Sequence, residues 1–560
     1  MDNRRLLLLL VFSFSLVMLW DAWQKYNQPK PAISPAGASA VDRSTPQPSA
    51  SLQAPVPGAP EATAATAKSA ETVTVKTDLF TAEIAVQGGD IVRLVFDDYK
   101  DTENGSKHFA LFEARHRYAA QSGLIGDGLP NHNTVFSPVP GTRELASDAN
   151  NIQLRLEAPP AKGLKVAKIY TFTRGSYLID VTQEIDNTSD TDVALNAYYQ
   201  LQRDVNAPAG ESRMVSTFTG PAVYTEEDKF QKVSFSEIES GKAKFASKAD
   251  NGWIAMVQHY FVSAWIPPEK LPREFYMQKL DGSVDPTVRA GVIVPVPVAA
   301  PGSKVALSVP LYAGPQVQTI LDHLALPKSE GGIGAQGLWL VVDYGLLKVV
   351  AAPIFWCLQA IHKLVGNWGW AIVLLTVGIK LLFFPLSAAS YKSMAKMRTV
   401  TPRLVALKER YAGDRQKLNQ EMMELYKREK INPLGGCLPI AVQIPVFIAL
   451  YWALLGAVEI RDAPWILWIT DLSASDPYYV LPVVMVATML IQTKLNPTPP
   501  DPIQAKVMMM MPFIFGAMFF FFPAGLVLYW VVNNTLSIAQ QWQITRMVES
   551  GGKAANDAKA

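Results

Sequence analysis

Between residue 71 and about residue 315 the chain alternates apolar and polar positions with period two, as in Val73-Thr-Val-Lys-Thr, Ile152-Gln-Leu-Arg-Leu, Lys168-Ile-Tyr-Thr-Phe-Thr and Val305-Ala-Leu-Ser-Val. Side chains of a strand point alternately to opposite faces, so each run predicts a strand with one buried face. Gly88-Gly89-Asp90 and Asp281-Gly282 supply turns between runs. Many short alternating strands separated by turns predict an all-β sandwich, bounded here at residues 71–325. That length suffices for one domain with its own core.

Elsewhere the pattern is one of long apolar runs. Six of them predict membrane spans: residues 6–20, 368–386, 434–458, 478–491, 507–522 and 526–538. The first follows Arg4 and Arg5, and the nearest small-x-small sites lie well beyond its end, around Ala36 to Ala40. It reads as an uncleaved signal anchor (residues 1–23) with a cytoplasmic N-terminus, in preference to a cleaved signal peptide. Residues 24–70 are rich in Pro, Ala and Ser, with almost no aromatics, and predict a disordered tether. The cores of the last three spans hold roughly 13 to 16 residues against about 20 needed to cross a bilayer, which favours local thinning. The run at 338–365 is different. Its Lys348, Gln359, His362 and Lys363 fall on one arc at 100° per residue. This predicts an amphipathic helix in the outer interface; the rival is an additional span.

Charge orients these runs. Between the second and third spans stand eleven basic residues against five acidic ones, a net +6. Between the third and fourth, Glu459, Asp462, Asp471 and Asp476 face Arg461 alone, a net −3. Positive loops remain cytoplasmic, so both termini and the +6 loop are predicted inside and the β domain outside. The +6 loop (388–431) has apolar stripes Leu404, Leu407, Tyr411 and Leu418, Met422, Leu425 around the Ala412-Gly413-Asp414 break, with Pro402 at an early helical position. It predicts a helical hairpin, Asp414 capping its second helix. Its cations, among them Arg403, Lys408, Arg410, Arg415 and Lys417, either set topology or dock an acidic or RNA-containing partner.

The candidate chemistry is sparse. Span 368–386 carries one charge, Lys380, and no other predicted span holds an acid to pair with it. Lys380 lies six residues before Ser387 and thus about 9 Å from the end of that run. An ammonium there either snorkels to the headgroups or faces a hydrated cavity; the depth favours the cavity. Thr376 lies one turn earlier, and Gln443, Thr488, Gln492, Asn533 and Asn534 are further polar residues of the spans. Each alone serves an interhelical hydrogen bond; together with Lys380 they line a groove open to the cytoplasm, closed outside by Phe519-Phe-Phe-Phe-Pro-Ala-Gly. The histidines of the alternating region up to about residue 315, His108, His116, His132 and His259, show neither metal spacing nor a paired acid motif. The two cysteines, Cys357 and Cys437, sit in apolar surroundings, which excludes a disulfide scaffold. No phosphate loop and no HExxH is present. A serine–lysine hydrolase lacks a nucleophile motif, since Ser387 begins the loop and Ser537 lies near a span end. The net charge of +2 gives no global pull toward nucleic acid. No cofactor or metal is expected.

Asn432-Pro-Leu-Gly-Gly-Cys-Leu-Pro, Ser393-Met-Ala-Lys-Met-Arg, Asp471-Leu-Ser-Ala-Ser-Asp-Pro-Tyr-Tyr and Phe522-Pro-Ala-Gly-Leu-Val-Leu-Tyr-Trp resemble, in this order, the YidC/Oxa family of membrane protein insertases of Gram-negative bacteria. The resemblance covers the whole chain. It implies an external β-supersandwich like that of galactose mutarotase, without its chemistry, and a five-helix insertase core (366–546) with a cytoplasmic tail (547–560). It implies a substrate groove at Thr376, Lys380 and the Tyr529-Trp530 pair, to which Gln443 and Asn533 are added here. Family members usually carry Arg where this chain has Lys380, and often Tyr at Trp530. It implies as partners nascent membrane proteins, the lipid bilayer, the Sec translocon with its accessory subunits, the signal recognition particle with its receptor, and the ribosome. The expected protein is therefore an α-helical membrane protein with six spans plus the external domain, located in the bacterial inner membrane. It inserts and helps fold membrane proteins and is not an enzyme. The competing class, a secondary transporter or channel for a small solute, finds no internal repeat.

Overall fold

Alternation becomes two antiparallel sheets. The computed structural model describes Pro46 and residues 71–101, 106–208, 217–280, 286–344, 348–411, 413–429, 438–496 and 502–557. The expected anchor, the tether apart from Pro46, the Asp281-Gly282 turn, Ala412 and residues 432–437 of the first motif lie outside these residues. One nine-stranded sheet runs, in spatial order, Thr72–Lys76, Phe80–Ala85, Ile91–Lys100, Ala119–Ile125, Asn196–Asp204, Thr287–Pro295, Arg273–Leu280 and Lys248–Ala249, with His108–Phe112 paired beside Ile91–Lys100. The other, also nine-stranded, runs Lys229–Lys232, Gly220–Thr225, Trp253–Gln258, Phe261–Trp265, Lys304–Pro315, Leu178–Asn187, Leu164–Thr173, Asn151–Glu157 and Ser137–Pro138. Asn151–Glu157 and Leu178–Asn187 bury every second residue, as their sequence pattern requires. Trp253–Gln258 and Gly220–Thr225 bury all their residues, because both of their faces are covered. Phe80, Phe96, Leu124 and Tyr199 of the first sheet share one core with Leu154, Phe172, Val181 and Leu311 of the second.

The Gly88-Gly89 turn shows why glycine is needed there. Both residues have positive φ, and a Cβ on Gly88 would meet the His132 carbonyl at 2.5 Å. The turn brings the Gly88 carbonyl to the buried Lys168, whose Nζ donates to it at 2.7 Å and to the Ser122 carbonyl at 2.9 Å. Asp90 lies 3.9 Å from the same ammonium. Burial pushes the Asp90 carboxyl up and the Lys168 ammonium down. The histidine expectation needs a correction: His116 Nδ1 lies 3.1 Å from both carboxylate oxygens of Asp204. These residues are 88 apart in the chain and meet only through sheet pairing.

The helices are α1 (Phe235–Glu239), α2 (Gln318–Ala325), α3 (Lys348–Val365), α4 (Trp368–Leu382), α5 (Phe384–Arg410), α6 (Arg415–Arg428), α7 (Leu438–Gly456), α8 (Val480–Leu495), α9 (Pro502–Phe519) and α10 (Ala524–Asp557). The single helix expected at 338–365 is divided. Leu338–Val341 is a short 3₁₀ turn, with Leu338 and Val341 buried; residues 342–344 are not helical, and α3 as described runs from Lys348. α3 carries two apolar stripes. Ala351, Phe355 and Leu358 are buried toward α4 and α7, while Val349, Trp356 and Leu364 are exposed.

Sequence placed the end of the second span at 386, but α4 stops at Leu382. α5 then departs at 67°. Pro385 opens α5; lacking an N–H, it cannot continue the hydrogen-bond ladder of α4. Ser387 therefore lies in α5 rather than beginning a loop, and Pro402 lies inside α5 rather than near its start. At the other end, α10 continues to Asp557, past the expected boundaries of the last span and the tail. The Gln540-Gln541-Trp542-Gln543 segment is polar yet contains no helix breaker.

All described residues fall in one compact unit, and the β domain and helices meet in a defined joint. Arg461, in the loop after α7, has a side chain only 6% exposed. Its guanidinium lies 5.3 Å from the Phe109 ring centre, 5.6 Å from Tyr260 and 5.7 Å from Phe261, and it donates to the Lys100 carbonyl. Nearby, His259 Nε2 meets the Leu455 carbonyl at 2.8 Å; burial pushes this imidazole down to about 4.

Candidate functional site

α10 supplies the spine of the site. Tyr529, Asn533, Ser537 and Gln541 recur every four residues along it, and all four are buried. Residues four apart share a helix face, so these groups form one stripe facing the other helices. α4 and α5 pack against this side of α10, and α7 touches both α5 and α10. The 67° bend between α4 and α5 leaves a partly open cleft of about 390 Å³, lined by Ile379, Lys380, Phe383, Leu386, Ser387, Gln443, Val446, Tyr529 and Asn533.

Lys380 occupies the last turn of α4, where the helix dipole favours a cation. Its distance from a helix end is thus shorter than the sequence implied. The head group nonetheless stays within the helices. Its Nζ donates to Ser537 Oγ at 2.7 Å. Ser537 in turn donates to the Asn533 carbonyl at 2.8 Å. A hydroxyl has one proton to give, so Ser537 meets Lys380 with a lone pair, which suits an ammonium and leaves no serine nucleophile poised on a neutral amine. No carboxylate lines the cleft among the described residues. The cleft is a half-apolar space with one cation and the amides of Gln443 and Asn533.

Of the six groove residues read from sequence, Lys380, Gln443, Tyr529 and Asn533 come together here. Thr376 does not. It is buried and donates to the Ile372 carbonyl at 2.7 Å, satisfying itself within α4. Trp530 points into an aromatic cluster, 5.1 Å from Phe447 and 5.7 Å from Phe519 between ring centres. Thr488 and Asn534 also leave the groove, Asn534 Nδ2 donating to Thr488 Oγ1 at 3.3 Å to tie α10 to α8. Gln492 is likewise not among the lining residues. Ser537 and Ser387, weighed in the sequence only as nucleophiles, belong to the site's surroundings; the spacing of four from Tyr529 through Asn533 is the signal that marks Ser537.

Above the cleft, Phe519, Phe522, Tyr451 and Trp530 pack edge to face. The Phe522-Pro-Ala-Gly turn is held to the preceding loop by Ala524 N to Ala474 O at 2.7 Å and Gly525 N to Leu472 O at 2.9 Å. In the same loop Asp476 accepts from Trp468 Nε1, Tyr478 N and Leu481 N at 2.8–3.0 Å, fixing the start of α8. These contacts give the two sequence motifs a structural meaning.

The hairpin of α5 and α6 closes on Val400 and Leu404, with Met397, Met422, Leu425 and Tyr426 against them. Leu407, Tyr411 and Leu418, expected in this seam, are outside it. Asp414 caps α6 by accepting from Lys417 N at 3.0 Å. Arg403 pairs with Glu429 at 2.8 Å. Arg410 and Lys417 both lie 5.9 Å from the Tyr411 ring centre at the tip, and Lys408 is exposed. The side chain of Arg415 is outside the described part.

No single described helix is long and apolar enough to cross a membrane, but the bent α4–α5 pair passes that test together. The exposed apolar side chains are concentrated in the helical region: Val349, Trp356, Leu364, Leu382, Val483, Met509, Phe513, Ile514 and Phe521 are all more than half exposed. A soluble protein rarely shows such a surface. Among the described residues no group of His, Cys, Asp and Glu could hold a metal ion.

Residues 72–357 match the family model described as the YidC periplasmic domain, and residues 360–551 match that of the 60Kd inner membrane protein. The fold and these matches define an inner-membrane protein with a two-sheet periplasmic β domain and a helical region. Over 561 residues, covering all of both chains, it is 64% identical to the membrane protein insertase YidC of Dechloromonas aromatica (strain RCB). It is 57% identical, again over all of both chains, to that of Aromatoleum aromaticum (strain DSM 19018 / LMG 30748 / EbN1). A crystal structure of an active YidC insertase with its first transmembrane domain resolved aligns with a TM-score of 0.40 and 18% identity, covering 84% of this chain and 92% of that one. The chain belongs to the YidC family of membrane protein insertases, which are not enzymes.

Proposed function

We propose that the cleft around Lys380 is the client groove of this insertase. One observation carries the reading: a lone ammonium, held by a neutral hydroxyl, faces a half-apolar cleft that no carboxylate lines among the described residues. A nascent membrane protein enters from the cytoplasm. Water and the amides of Gln443 and Asn533 lower the cost of bringing its polar external segment below the headgroups. Lys380 attracts acids in that segment. The apolar helix of the client then leaves sideways into lipid, driven by burial of its side chains. The aromatic cluster of Phe519, Phe522 and Trp530 closes the external end.

In this proposal α4, α7, α8, α9 and the apolar part of α10, with the anchor, are the six spans. α3 lies in the outer interface, its exposed Val349, Trp356 and Leu364 in lipid. The α5–α6 hairpin and both termini are cytoplasmic. Delivery by the signal recognition particle, its receptor and the ribosome, and cooperation with the Sec translocon and its accessory subunits, belong to the same proposal. Thiol labelling tests it. With Cys357 and Cys437 replaced, a cysteine at position 380 in the membrane-embedded protein is expected to react with a membrane-impermeant reagent supplied from the cytoplasmic side. A cysteine that stays unlabelled there, while one at position 408 reacts, contradicts a hydrated groove.

A further inference from the structure

Ser537 stands where three helices meet. It accepts from the Lys380 ammonium of α4 at 2.7 Å and gives its own proton to the Asn533 carbonyl one turn back in α10 at 2.8 Å; Tyr391 of α5 lies beside it. Both Tyr391 and Ser537 are buried. Among the described residues Ser537 is the only hydrogen-bond partner of Lys380. The four-carbon stem of a lysine is flexible and loses on the order of 2 kcal/mol of rotamer freedom when fixed.

We propose that Ser537 is the positioning residue for Lys380: it holds the ammonium at the cleft in the absence of a client and yields it to a client carboxylate. This rests on the groove reading above. The chemistry of the partner is the reason. A hydroxyl accepts a hydrogen bond from the ammonium without cancelling its charge. A carboxylate forms the stronger, charge-assisted bond, so an acidic client displaces the hydroxyl. An ammonium has three donors and Ser537 engages one, which leaves two for the incoming group. An acid at position 537 would satisfy Lys380 permanently and close the site to clients.

The test uses the full-length protein in proteoliposomes and two versions of one single-span client, with acidic or neutral external segments. Ser537→Ala is expected to lower insertion of the acidic client roughly tenfold, the loss that goes with one hydrogen bond to a charged group, and to lower insertion of the neutral client far less. Ser537→Asp is expected to reduce the acidic client further than Ser537→Ala. In a Lys380→Arg background the effect of Ser537→Ala is expected to shrink to about twofold, because a guanidinium carries five donors on a planar, pre-organised fork and depends less on any one acceptor. A merely structural serine predicts equal losses for both clients and in both backgrounds, and that result overturns the proposal. Lys380→Ala, run alongside, separates the two levels. If it spares the acidic client, the groove reading itself falls; if it does not, but Ser537→Ala acts equally in both backgrounds, only the positioning role falls.

Discussion

His259 shows how one residue ties pH to the joint between domain and helices. Its folded pKa, about 4, is pushed below the ordinary 6.5 chiefly by burial. Neutral histidine is the form that fits, so its contribution is fully present above pH 6.5 and is lost as pH falls from 6.5 toward 4. The loss reaches about 2–3 kcal/mol. Thermal unfolding of the purified protein at pH 7.5 and 5 is expected to show this destabilisation, and His259→Gln to reduce it; parallel pH profiles for the two proteins would contradict the assignment. At this scale the sequence was partly legible. Lys380 stood out because a charge in an apolar run needs a reason. Its partner Ser537 and the His116–Asp204 pair did not, because hydrogen-bond partners 157 and 88 residues apart leave no local pattern. Thr376 fitted the family's pattern and Trp530 its position with Trp in place of the usual Tyr, yet in this chain one bonds within its own helix and the other joins an aromatic cluster.

At the scale of elements, the α5–α6 hairpin offers a sharp contrast. Leu404 is buried in its seam with Met422 beside it, while Leu418 is outside. Leu404→Ser is expected to destabilise the hairpin by about 2–4 kcal/mol and to lower client insertion, with the orientation of the protein unchanged by protease accessibility. Leu418→Ser is expected to do little. Equal effects at both positions, or none at either, would mean the hairpin serves topology alone. α3 is similar: Phe355→Ser on its buried stripe is expected to impair insertion more than Lys363→Ser on its exposed polar arc, measured on the same client. Periodicity revealed most elements, since strands and amphipathic helices carry their burial in their spacing. It failed where backbone chemistry overrode apolarity. Pro385 ends α4 early, the apolar 338–341 segment stays with the β domain, and α10 runs on through the polar 540–543 segment, which has no breaker.

Over the whole molecule, the β domain and the helices meet at Arg461 and His259, with one continuous core running through both. Deleting most of residues 75–300 removes Lys100, Phe109, Tyr260 and Phe261, and with them the box around Arg461. The exposed guanidinium then returns to water at little cost, so insertion of a simple single-span client is expected to survive. Complete loss of that insertion with the shortened protein stably present would contradict this expectation. The central claim, however, is electrostatic and is tested at Lys380. Insertion is to be measured for a client pair differing only in acidic residues of the external segment. Lys380→Arg is expected to retain insertion of both clients. Lys380→Ala is expected to lose insertion of the acidic client, Lys380→Glu to be worst for it, and the neutral client to be much less affected. Equal defects for the acidic and neutral clients would contradict an attracting charge in the groove.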